Sequence, residues 1–146
     1  MTASLMYNRP FRKGNWASSL IWGRNHFLPS GENFNGYLVE STLRFANLER
    51  VWTRIENVDR SNELLLGKQI EPSGFVERFL ARVQAYTFGY DHDFRFIPGV
   101  ALALGGQVTF YAKPQSLTPI YGEHPAGALL FIRIRPNGGG HGHGGK

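Results

Sequence analysis

Asp91, His92 and Asp93 form the densest run of potential ligands in the chain. An imidazole between two carboxylates would favour a transition metal, yet on an extended backbone the two Asp side chains point away from the His. His141 and His143 stand in the tract GGGHGHGGK, where they would bind copper or nickel weakly; a solvated tail is the plainer reading. Glu40 and Glu56 are candidates for the carboxylate pair that glycoside hydrolysis uses, but their Arg neighbours point to salt-bridged structural acids. Ser18, Ser19 and Ser41 fall in strand-like runs without an elbow motif, and no His or acid is specified beside them. His26 and His124 belong to separate loops. With no cysteine there is neither a thiol nucleophile nor a disulfide framework. No catalytic residue is assigned, and whether the chain is an enzyme stays open.

These side chains are positioned by alternating runs. Across residues 35–58, Tyr37, Val39, Leu43 and Phe45 share one parity and Glu40, Thr42 and Arg44 the other, which is the period of a strand with unlike faces. Val51, Thr53 and Ile55 alternate in the same way with Trp52, Arg54 and Glu56. A turn at Asn47, Leu48 and Glu49 makes the pair an antiparallel hairpin, so Glu40, Arg44, Arg54 and Glu56 must share a side.

Along the whole chain the pattern predicts strands over 3–11 and 15–25, a loop over 26–34, the hairpin, and a long connection over 59–74 with an apolar knot at 64–66. Residues 75–90 match both helical and strand spacing, and the run Tyr86, Thr87, Phe88, Gly89, Tyr90 favours a strand. A shorter connection over 91–99 follows, then a strand over 100–111, a Pro-containing loop over 113–126 and a last strand over 127–135. Pro10 limits pairing at the end of the first strand. The expected fold class is all-β: an antiparallel up-and-down meander forming a barrel or partial barrel of about seven to eight strands, in one domain over 1–136. Residues 137–146 read as a disordered Gly/His tail.

The chain has 146 residues, 42% of them hydrophobic, which suffices for one core. Its formal charge of +5 comes from Arg residues spread among strands, not from a basic run or a stacking motif, so no nucleic-acid partner is expected. No apolar run is long enough for a membrane helix, and the N-terminus shows no leader.

Short and long connections alternate as in outer-membrane barrels, where tight turns face the periplasm and longer loops the exterior. Glu40, Arg44, Arg54, Glu56, Arg82, Gln84, Gln107, Arg133 and Arg135 can all take the inward parity, facing a wetted lumen. An Arg turned to lipid at the midplane would cost about 2–4 kcal/mol. Seven strands with a periplasmic C-terminus put the N-terminus outside. That predicts either a further strand or a chain that is the C-terminal part of a larger barrel. Open strand edges then predict self-association.

The strings MTASLMYNRP, GNWASSLIWGRN, the run over 37–66, AYTFGYDHDF and IYGEHPAG resemble the C-terminal portion of an uncharacterised family of outer-membrane-like β-barrel proteins of Gram-negative bacteria. The resemblance covers the chain up to Arg135. It implies an architecture, an outer-membrane location and lipid as partner, with a weak association with metal handling. The last strand ends Ile134, Arg135, Pro136, without the terminal aromatic typical of barrel proteins. The expected role is a porin-like or structural barrel. A soluble antiparallel barrel holding a small apolar ligand is the alternative, and a small enzyme or metal-binding protein comes after it.

Overall fold

Bulky side chains alternate with small or polar ones along much of the chain, interrupted by apolar runs such as Leu129, Leu130, Phe131 and Ile132, and the strands pair in sequence order. The structure, a computed structural model, describes residues 1–28, 31–60, 81–97 and 99–136. Its strands are β1 (Thr2–Phe11), β2 (Gly14–Phe27), β3 (Glu32–Phe45), β4 (Glu49–Arg60), β5 (Ala81–Ile97), β6 (Val100–Ala112) and β7 (Ala126–Pro136). They form one antiparallel up-and-down sheet in the order β1-β2-β3-β4-β5-β6-β7, and it is not closed into a barrel. Among the described residues, helix is confined to a 3-10 turn, Gln115–Leu117, and a four-residue α1, Thr118–Tyr121.

The strand ends Phe11 and Gly14, Phe45 and Glu49, and Ile97 and Val100 adjoin at one end of the sheet, that of the tight turns, and the ends Phe27 and Glu32, Arg60 and Ala81, and Ala112 and Ala126 lie at the other. In the turn after β3, Ala46 and Asn47 both have positive φ, 50° and 64°. Asn tolerates that conformation, whereas Ala is strained in it.

Register fixes the two faces. One row across the sheet reads Met6, Ser19, Glu40, Arg54, Thr87, Thr109, Gly127, and the next reads Asn8, Ala17, Thr42, Trp52, Gly89, Gln107, Leu129. On the opposite face the rows read Leu5, Leu20, Val39, Ile55, Tyr86, Phe110, Ala126 and Arg9, Trp16, Leu43, Val51, Tyr90, Gly106, Leu130. The first face is polar and the second apolar.

The sheet curls toward the polar face. Trp52 on β4 and Phe131 on β7 have ring centroids 5.9 Å apart although β5 and β6 run between them, a separation of about 14 Å at ~4.8 Å per strand in a flat sheet. The rings lean over glycines: a methyl group on Gly89 would sit 2.1 Å from the Trp52 ring, and one on Gly105 would sit 2.6 Å from the Phe131 ring. Curling also explains why Asp91, Asp93, Ala101 and Ala103 on this concave face are buried while most large apolar side chains of the convex face are exposed.

Several expectations need correction. Residues 91–97 continue β5 and are not a connection, and β2 and β3 extend through most of the loop expected over 26–34. Asp59 pairs with Arg82 and Asn57 with Gln84, so Arg82 and Gln84 take the convex parity, not the inward one, and Val83 takes the concave parity. The apolar knot at 64–66, residues 75–80 of the helix-or-strand segment, and the tail 137–146 with His141 and His143 lie outside the described residues.

Candidate functional site

The concave face is the only place where the chain gathers many charged side chains from distant parts of the sequence among the described residues. Two layers can be distinguished along the strands.

The first lies toward the tight turns. Asp91 and Asp93, two residues apart on β5, project onto the concave face and are 1% and 2% exposed. Asp91 Oδ2 accepts from Arg50 Nε at 3.0 Å, Arg50 Nη2 at 2.6 Å and Arg133 Nη2 at 3.0 Å. Asp93 Oδ2 accepts from Arg44 Nη2 at 3.1 Å and from Arg135 Nη2. Each carboxylate thus bridges two guanidinium groups, which gives two stacked Arg–Asp–Arg braces that tie β3 and β4 through β5 to β7. Breaking a buried pair by removing one partner typically costs about 3–5 kcal/mol, so the braces hold the curl. Arg44 and Arg95 also donate to the Asn47 carbonyl, at 3.2 and 3.1 Å, which anchors the strained turn. Four Arg face two Asp. Arg133 Nε is buried without an acceptor, and Asp91 Oδ1 and Asp93 Oδ1 without donors.

The second layer is a trough of about 440 Å³ whose lining includes Glu40, Thr42, Trp52, Arg54, Glu56, Gln107, Thr109 and Tyr111. Arg54 lies between the two glutamates, 3.2 Å from Glu40 through Nη1 and bonded to Glu56 through Nε. Glu40 and Glu56 therefore share a cation, and neither is poised as a free acid or base. Thr87 and Thr109 close the floor with a hydroxyl pair at 2.9 Å.

Of the inward set expected from sequence, Glu40, Arg44, Arg54, Glu56, Arg133 and Arg135 share the concave face, and Arg82 stands on the convex one at the far end of the sheet. There Arg82 donates to Asp59 from Nε at 2.8 Å and from Nη2 at 3.1 Å, and Asp59 also accepts the Asn35 backbone N–H. The Asp91, His92, Asp93 run does not converge. Both Asp are held by Arg, and His92 lies on the convex face with Nδ1 2.8 Å from Glu49 Oε1. No group of three or more metal-ligating side chains occurs among the described residues.

Arg50 and the Trp52–Phe131 contact escaped the sequence reading. Glycines 89 and 105, small residues in the middle of otherwise bulky strands, were the available signal for the contact.

The convex face completes the geometry. Leu130 is 85% exposed, Ile134 73% and Leu5 and Ile132 69% each. Its central hydroxyls are satisfied internally: Trp16 Nε1 donates to Ser41 Oγ, Ser18 and Ser41 share a bond, both at 2.9 Å, and Thr53 donates to the Thr87 carbonyl at 3.1 Å. Charged groups of this face sit toward the strand ends, with Arg9, Glu49 and His92 near the tight turns and Arg24, Asp59 and Arg82 near the opposite end of the sheet. No family model, curated protein or solved structure matches this chain.

Proposed function

We propose that the chain is a β-barrel segment of the outer membrane of a Gram-negative bacterium, with a porin-like or structural role. Its convex face meets lipid and its concave face lines a lumen filled by ion pairs. The observation that carries this reading is the convex face itself. Large apolar side chains that are more than a third exposed occur on this face in all seven strands, and a broad exposed apolar patch marks a membrane or partner surface.

The band has suitable dimensions. On β4 it runs between Glu49 and Asn57, about 26 Å at ~3.3 Å per residue, comparable with the ~25 Å apolar band of such barrels. Internal pairing of Ser18, Ser41, Thr53 and Trp16 suits a medium that offers no hydrogen bonds. Barrels of about eight strands have interiors just wide enough for side chains to fill, and the stacked braces are such a filling. This favours a structural barrel with a plugged lumen over a wide aqueous channel.

A soluble barrel with a small ligand draws support from the trough, although the lining of Glu, Arg, Thr and Gln suits a polar ligand and not an apolar one. Fractionation separates the readings. The full chain, expressed in a Gram-negative host, should require detergent for extraction from outer-membrane fractions. Recovery as a monodisperse soluble protein would favour the alternative.

A further inference from the structure

The two open edges carry a directional pattern that describes what fits them. Met1 donates to the Arg24 carbonyl at 2.9 Å and Arg24 to the Met1 carbonyl at 2.8 Å, so Met1 and Arg24 are a hydrogen-bonded pair. By alternation, the odd residues of β1 bond to β2, and Thr2, Ser4, Met6 and Asn8 aim their N–H and C=O groups at the free edge. Tyr111 donates to the Pro125 carbonyl at 3.0 Å. The odd residues of β7 therefore bond to β6, and Ala126, Ala128, Leu130, Ile132 and Ile134 face the free edge. Pro10 and Pro136 both occupy outward positions near the tight turns, so neither removes a donor from the existing ladder.

Both edge strands run toward the tight turns, since they are the first and seventh of an antiparallel series. One strand running the other way is antiparallel to both at once. A second whole copy would require a far wider barrel, which the Trp52–Phe131 contact and the braces from β7 to β5 oppose.

Charge specifies more. Arg133 and Arg135 are concave-face residues of the edge strand β7, in braces where four guanidinium groups share two carboxylates, and Arg133 Nε lacks an acceptor.

We propose that the β1 and β7 edges together form a single strand-addition site for a separate extended peptide segment of about nine to eleven residues. The segment runs antiparallel to both edges, is apolar at alternate outward positions, and carries acidic residues at its first inward positions, facing Arg133 and Arg135. The apolar half of this pattern rests on the lipid-facing reading; the backbone and charge halves do not.

The test uses the full chain in dodecylphosphocholine micelles and a synthetic peptide alternating leucine with threonine, with glutamate at the first two inward positions. Amide hydrogen exchange is followed by NMR. The expected result is slowed exchange at Ser4, Met6 and Asn8 and also at Leu130, Ile132 and Ile134, at monomer mass. A peptide with lysine for glutamate should bind at least about tenfold more weakly. Met6→Pro, which removes an outward donor and leaves the β2 ladder intact, should also weaken binding. Protection of one edge or neither would overturn the proposal. So would protection of both without peptide, whether at monomer mass through direct β1–β7 pairing or at dimer mass through a second copy. Equal binding of the lysine peptide would overturn the charge assignment. If the chain is monomeric and binds the peptide in plain buffer, the lipid-facing reading fails while the strand site stands.

Discussion

Asp91 and Asp93 are ordinary polar letters in the sequence, and together with His92 they read as part of a connection carrying three potential ligands that an extended backbone would point apart. Their meaning comes from partners that lie 41 or more positions away, Arg44, Arg50, Arg133 and Arg135, which no local pattern announces. Replacing Asp91 with Asn leaves Arg50 and Arg133 without their counter-charge. Since those two side chains are 24% and 34% exposed, the expected loss is near the lower end for buried pairs, about 3 kcal/mol. Urea unfolding in lipid or detergent measures it, and adding Arg133→Gln should recover part of the loss. No change on Asp91→Asn would show that the braces do not hold the sheet. Ala46, at φ 50°, makes the opposite case. Ala46→Gly should stabilise the β3–β4 turn by about 1 kcal/mol, the cost of a left-handed non-glycine residue, and the same unfolding curves report it.

At the scale of elements, the β3–β4 hairpin was legible because Tyr37, Val39, Leu43 and Phe45 alternate with Glu40, Thr42 and Arg44, and the structure pairs Glu40 with Arg54 as the parity requires. Strand β5 was harder to read. Its small residues Ala85, Thr87 and Gly89 resemble core positions beside Val83, yet they line the crowded concave side where Trp52 needs room, while Tyr86, Phe88 and Tyr90 take the convex side. That inversion carried Arg82 and Gln84 to the wrong face. It was tolerable to the chain because Arg82 lies at the strand end beside Asp59. Gly89→Ala forces a methyl group into the Trp52 ring and should cost about 1–3 kcal/mol, with a changed near-ultraviolet circular dichroism signal from the displaced indole. An unaltered signal and stability would remove Gly89 as the reason for the curl. Cysteine scanning in vesicles tests the faces. Leu20→Cys, Ile55→Cys and Val108→Cys should resist a water-soluble maleimide, and Thr42→Cys, Val83→Cys and Gln107→Cys should react. Uniform labelling would contradict the register.

For the whole molecule, the seven-stranded order followed from alternation and turn residues, whereas the curl depended on contacts between β4 and β7 that sequence separation conceals. The central claim is that the convex face meets lipid. The three tryptophans divide usefully: Trp16 and Trp22 stand on the convex face and Trp52 on the concave one. Single-tryptophan variants, with the other two changed to Phe, can be folded into vesicles containing brominated lipid, which quenches only indoles in contact with acyl chains. Strong quenching of Trp16 and Trp22 with little at Trp52 is the expected result; equal and negligible quenching of all three, from a chain that stays monomeric in buffer and ignores the vesicles, would contradict it.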